Sequence, residues 1–269
     1  MNTIKIQNNL AKRELETFLQ DVLDTLKADD GKSFEEKRTA ILDMLKDTEE
    51  TLLADIFADL ASDEIRGEQI NASFWHAGRE ILAAGNIVLR EVIEDDRESF
   101  GELKRAYSPI DPVFQHEAFF NMLWSEHTQP KALMLSIIQN GEYAGYCGIQ
   151  DLSARVWEIS IELKPHKVRQ GIGYAAVSAM LDALKSRLGA SVYKVRIDPA
   201  NLASQRLFEK LGAKPNGISE YLLHDREVIE QCENDSVHML DDALIAVAEK
   251  FDVPPRKLLS HVLEYKLIW

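Results

Sequence analysis

Apolar positions make the first division of the chain. Leu15, Phe18, Leu19, Val22, Leu23 and Leu26 recur at the i, i+3, i+4, i+7 spacing of one helix face. A second stripe, Ile41, Leu42 and Leu45, follows Ser33 and Glu36, whose separation reads as a capping box. Leu52, Leu53, Ile56, Phe57 and Leu60 make a third stripe, and Phe74, Ala77, Ile81 and Leu82 a fourth that ends near Gly85. No proline precedes Pro109, so nothing breaks these segments sharply. The spacing predicts a small all-α helical bundle over residues 1–85.

From residue 86 the period shortens. Ile87, Val88, Leu89 and Val92 read as a strand, and Glu94-Asp95-Asp96 opens a helix that runs to near Tyr107. Another helix is expected near Gln115–Glu126. Ala132–Ile138 and Tyr143–Ile149 flank Asn140-Gly141, the strongest short hairpin signal. Residues 155–163 alternate, which puts Trp157, Ile159, Ile161 and Leu163 on one face and Glu158, Ser160 and Glu162 on the other. A helix after Gly173, a strand over Ser191–Ile197, a short helix over 201–211 and a strand near Ala213–Leu223 come next. The order predicts an α+β fold with a mostly antiparallel central sheet and flanking helices. Residues 224–256 then form an insertion with one amphipathic stripe (Val237, Leu240, Leu244, Val247, Phe251), and His261–Trp269 reads as a last strand. Two parts result. Residues 1–85 are a bundle suited to oligomerisation or substrate docking, and 86–269 are the chemical domain.

Charge narrows the partners. Among 269 residues, Lys plus Arg is 31 and Asp plus Glu is 45, a formal net charge of −14. Such a field repels a phosphate backbone and an anionic membrane, so neither nucleic acid nor membrane is expected as a partner. It suits cationic amines. No stretch approaches 18 uninterrupted apolar residues. Cys147 and Cys232 stand far apart and exclude a disulfide framework, which fits a cytoplasmic protein. The seven histidines show no ligand spacing, so no metal site is expected. Cys147, Trp75, Trp124 and Trp157 read as packing residues.

One segment carries chemistry, Pro165-His166-Lys167-Val168-Arg169-Gln170-Gly171-Ile172-Gly173-Tyr174, between a strand and a helix. Backbone N–H groups at a helix start have no intrahelical partner, and the helix dipole adds positive charge there. Glycine lets an anion come close, so the loop is a candidate pyrophosphate cradle, with Arg169 beside it. It matches neither the Walker-type loop nor the dinucleotide fingerprint. A second segment reads Asn201-Leu202-Ala203-Ser204-Gln205-Arg206-Leu207-Phe208-Glu209-Lys210-Leu211-Gly212-Ala213.

Together the two segments resemble the GNAT superfamily of acyl-CoA-dependent N-acyltransferases, the first its Q/R-x-x-G-x-G/A motif and the second its N-x-x-S-x-x-L-Y/F-x-K-x-G-F/A element. The likeness covers roughly residues 86–223 and the last strand. It implies acetyl-CoA as cofactor and a sheet splayed beside the strand Val156–Leu163. Backbone groups of Ile161 and Leu163 would then pair with the pantetheine arm. Amides of Val168, Arg169, Gln170, Gly171, Ile172 and Gly173, reaching to Tyr174, would hold the pyrophosphate, while Asn201 and Ser204 line the pantetheine and adenosine side. Val168 departs from the Gln or Arg of the pattern, at little cost to amide donors.

The implied reaction is acetyl transfer to a primary amine of a small molecule or protein by direct attack. A free alkyl ammonium has a pKa of about 10.4, so a base must take its proton. The resemblance puts that base on the strand, as Glu158 first and Glu162 second. A backbone N–H near Ile161–Leu163 could serve the oxyanion. The family's tyrosine acid is replaced by Phe208, leaving solvent, Tyr174, Tyr221 or Tyr265 as substitutes. Two other readings stay open, an acyl-CoA-binding sensor and an interaction protein built on residues 1–85. The insertion is a candidate substrate lid or homodimer contact. Fold alone does not choose the acceptor among polyamine, aminoglycoside, amino acid and lysine side chain.

Overall fold

The computed structural model describes residues 36, 39, 63, 65–107, 116–220 and 225–269. The chain divides between Ile65 and Arg66, and the sheet with its helices belongs to the unit that begins at Arg66. The first three stripes of the expected bundle lie outside the described residues.

The fourth stripe is corrected. Residues 66–75 are helical (α1), but the helix stops short of Gly78, and β1 (Glu80–Ala83) pairs antiparallel with β2 (Ile87–Glu91). Ile81 and Leu82 are strand residues. A run of four cannot display a period, so they joined the helical stripe by spacing alone. Phe74 and Trp75 of α1 belong to the sheet's main core, so the segment before residue 86 folds with the sheet.

The remaining elements, in chain order, are α2 (Arg97–Tyr107), α3 (Glu117–Thr128), β3 (Leu133–Gln139), β4 (Glu142–Ile149), β5 (Trp157–Leu163), α4 (Ile172–Leu188), β6 (Val192–Ile197), α5 (Leu202–Lys210), β7 (Lys214–Glu220), α6 (Arg226–Asp235), α7 (Asp242–Phe251) and β8 (His261–Ile268). The eight strands lie in the order β1-β2-β3-β4-β5-β6-β8-β7. Asn140 and Gly141 both take left-handed φ, 52° and 84°, and close the β3–β4 hairpin as the sequence indicates. The sheet is mixed, not the mostly antiparallel one expected. β5 and β6 run parallel, because α4 carries the chain back between them.

Alternation sorts the side chains into two cores. Leu133, Leu135 and Ile137 of β3 join Cys147, Ile149 and Ile159 beneath α1, α4 and α5. Met134 and Tyr146 point the other way, against Phe100 and Leu103 of α2 and Trp124 of α3. A buried ion pair anchors α2. Arg90 donates to both carboxylate oxygens of Asp96 at 2.7 Å, and the Ser136 hydroxyl adds a third bond at 2.6 Å. Burial works to raise the Asp96 pKa, but these hydrogen bonds prevail and hold it below the ordinary carboxylate value.

Candidate active site

The strand pair β5–β6 is joined for only two residues, Trp157 opposite Tyr193 and Glu158 opposite Lys194. Beyond them the strands part, leaving the inner edge of β5 without a strand partner. Its direction follows from one bond. The N–H of Lys164 donates to the Ala144 carbonyl at 2.8 Å, toward β4. Successive N–H groups alternate between edges, so those of Glu162 and Ser160 also face β4, and those of Ile161 and Leu163 face the gap.

The loop after β5 ends at the start of α4, whose cap is Gly171, with φ 79° and no side-chain cap. A Cβ built on Gly171 would meet nothing within 4 Å, so the space before this helix end is open. Gly173 has a different role. Its Cβ position lies 3.4 Å from Ile161 Cδ1 and Leu207 Cδ2, so glycine lets α4 approach β5 and α5 closely. Arg169 also takes a left-handed φ, 62°, a strain of about 1 kcal/mol or more for a residue with a Cβ. Two left-handed residues within three positions, Arg169 and Gly171, are the kind of alternation from which anion nests of backbone N–H groups are built. Val168 and Tyr174 are exposed at the two ends of this segment, and Lys210 lies over the Tyr174 ring at 4.4 Å.

Asn201 caps α5, its Oδ1 accepting the Ser204 N–H at 3.0 Å. Phe208, at the position of the family's tyrosine, is only 2% exposed and packs in the main core. Of the tyrosines that could replace it, Tyr265 is buried and donates to Glu209 Oε1 at 2.8 Å, and Tyr221 lies outside the described residues. Burial pushes the Tyr265 phenol up, with Glu209 adding to the shift.

The two strand glutamates differ. Glu158 accepts from Arg196 Nε on both oxygens, at 2.8 and 2.9 Å, with Lys194 Nζ at 3.5 Å. Glu162 takes its contacts on Oε2 alone, from the Tyr146 hydroxyl at 2.7 Å and from Lys104 Nζ. Lys104 also donates to the Tyr146 oxygen at 2.7 Å. Burial, and then the neighbouring Glu162 charge, push the Tyr146 phenol well up, so it stays a donor. Arg196, Lys194, Lys104 and Tyr146 were not singled out by the sequence. For the first two a signal existed, since alternation along β6 sets them on the Glu158 face once the pairing with β5 is known. Tyr146 stands directly opposite Glu162 in the β4–β5 register, and only the packing of α2 against β4 brings Lys104 there.

Among the described residues no cluster of His, Cys, Asp and Glu could hold a metal ion, and no helix is long and apolar enough to cross a membrane.

The profile described as "Acetyltransferase (GNAT) domain" matches residues 86–214, a span that contains the gap, the glycine loop and α5. The chain carries a GNAT acetyltransferase domain. A Bacillus subtilis (strain 168) protein that bears the provisional name [ribosomal protein bS18]-alanine N-acetyltransferase is 28% identical over 117 residues, 40% of this chain and 77% of that protein. Among solved structures, Mycobacterium smegmatis RimJ in complex with CoA-disulfide is 14% identical with a TM-score of 0.47, covering 70% of this chain and 85% of its own. The ribosomal-protein-S18-alanine N-acetyltransferase from Escherichia coli is 15% identical with a TM-score of 0.45, covering 68% and 93%. The GNAT domain makes this an acetyl-CoA-dependent acetyltransferase. The residues present fit that group, because an uncapped helix end opens onto free space and an unpaired strand edge lies beside it.

Proposed function

We propose that the chain transfers the acetyl group of acetyl-CoA to a primary amine by direct attack, with Glu162 as the base. The parted β5–β6 edge at the glycine-capped start of α4 carries this reading. Backbone amides from Val168 to Gly173, with Tyr174 at the helix's first turn, would hold the pyrophosphate, which the helix end and the Arg169 charge favour. N–H groups of Ile161 and Leu163 would meet the pantetheine arm, with Asn201 and Ser204 at the α5 side. Acetyl-CoA supplies an activated thioester, whose C–S bond breaks as the amine's C–N bond forms.

Glu162 would accept the ammonium proton on Oε1, directly or through one water, while Tyr146 and Lys104 hold Oε2. Glu158 is the weaker candidate. Its bonds to Arg196 engage both oxygens, and its role is to brace the closed end of the gap. Phe208 has no proton to give, but a thiol pKa of about 8.5 makes the thiolate a tolerable leaving group without an acid. The name of the Bacillus relative adds a protein N-terminal amine to the acceptor classes. The reducing cytoplasm suits the two free thiols, Cys147 and Cys232.

The test is thiol release from acetyl-CoA by the full chain over a panel of primary amines, with the amide product identified by mass. Release with one amide per thiol is expected on at least one amine. Tight acetyl-CoA binding with no release on any amine would favour the sensor reading instead.

A further inference from the structure

The insertion borders an open cleft. Helices α6 and α7 and the turn Pro255–Leu259 surround a cavity of about 580 Å³, closed below by the loop Asp198–Leu202 and by the first residues of β8. That volume lies within the roughly 300–1,000 Å³ of small-molecule sites. Its walls are mostly apolar, with Leu202, Met239, Leu244, Val247, Leu258 and Val262 among them. Asp198, Asp241 and His261 also line it, and among the described residues neither lysine nor arginine does.

The polar groups are prepared rather than spent. Asp198 uses Oδ1 for the Ala200 N–H at 2.8 Å, and Asp241 uses Oδ1 for the Leu244 N–H at 2.8 Å. Each leaves Oδ2 for another donor. The wall behind His261 is fixed by Glu233, which is 3% exposed and accepts from Lys257 and from the Ser260 hydroxyl, both at 2.8 Å. Because that hydroxyl proton goes to Glu233, the Ser260 oxygen accepts from His261 Nδ1 at 2.7 Å. Nε2 is then the ring's remaining polar atom. Two exposed carboxylates at the mouth of an apolar cleft, with no cation in its lining among the described residues, suit an ammonium on an apolar body.

Location ties the chamber to the chemistry. Asp198 directly follows Ile197, the last residue of β6. Since β5 and β6 are parallel, that end of β6 is at the same end of the sheet as Leu163 and the glycine loop.

We infer that this cavity is the acceptor subsite, taking the alkyl or arylalkyl body of a primary amine with its nitrogen held at Asp198. The inference rests on the acetyl-transfer reading and narrows it, because polyamines and aminoglycosides have no apolar body to bury. The test uses 1-hexylamine and spermidine as probes on the full chain, by calorimetry and by thiol release, with Ala243→Trp to fill the chamber from its exposed rim. Hexylamine is expected to bind and to lose about tenfold or more in affinity in Ala243→Trp, with KM rising and acetyl-CoA affinity unchanged. Asp198→Asn, which keeps the Ala200 bond, should weaken hexylamine severalfold and leave 1-hexanol binding unaltered. Equal hexylamine affinity in the wild type and Ala243→Trp, or a preference for spermidine, would overturn the inference. Hexylamine binding that Ala243→Trp abolishes, without thiol release on any amine, would support a cavity for apolar amines and overturn the acetyl-transfer reading.

Discussion

Glu162→Gln should lower kcat by about 10²–10⁴-fold, the range a positioned general base supplies. The amide keeps the shape of the side chain and an oxygen for Tyr146 and Lys104, so what is lost is the site that accepts the amine's proton. Glu158→Gln provides the contrast. Its carboxylate is engaged on both oxygens by Arg196, so its loss should weaken the joint between β5 and β6 and leave kcat within about tenfold of wild type. Steady-state rates for both variants across pH, with acetyl-CoA affinity measured in parallel, decide the matter. A collapse of kcat in Glu158→Gln with Glu162→Gln near wild type would reverse the assignment.

The second large effect is on stability in mild acid. His127 is 7% exposed, with its ring 4.4 Å from that of Phe100 and 4.6 Å from that of Tyr146, and its buried Nε2 has no hydrogen-bond partner. Burial, with the Lys104 charge adding, lowers its pKa from 6.5 to about 3, against an opposing pull from Asp96. The folded pKa is below the unfolded one, so the native state favours the neutral ring. That contribution is complete above pH 6.5 and is lost as pH falls through the interval down to about 3. At 1.36 kcal/mol per pH unit, the loss by pH 4.5 is about 2–3 kcal/mol. It precedes the carboxylates, since Asp96, Glu209 and Glu233 all titrate below their ordinary values. His127→Phe, an apolar ring among aromatic neighbours, should remove this dependence. Urea unfolding at pH 7, 6 and 5 is the measurement. Wild-type and variant curves that fall in parallel would show that His127 is not the group responsible.

Much of this was legible because it is local. The Asn140-Gly141 turn names its own conformation, and the glycine loop with the Asn201 helix names a family by spacing within short segments. Alternation along 155–163 sorted Glu158 and Glu162 onto one face before any partner was known. What the sequence left unread depends on pairing over distance. Whether Glu158 is available depends on Arg196 and Lys194, which reach it only because β6 lies parallel to β5. Glu162, Tyr146, Lys104 and His127 come from β5, β4, α2 and α3, and only the packing of the two helices on the sheet brings the four together. Ile81 and Leu82 fail for the opposite reason. Their segment is too short to show whether its period is two or 3.6, and only pairing with β2 decides it.

The measurement nearest the central claim is a calorimetric titration of acetyl-CoA into the wild-type chain and into Gly171→Val. Valine strains the left-handed position and puts a side chain into the open space before α4. Saturable one-to-one binding to the wild type, weakened about tenfold or more in the variant, is the predicted result. No binding to the wild type, or equal affinity in both, would contradict an acetyl-CoA seat at this helix end.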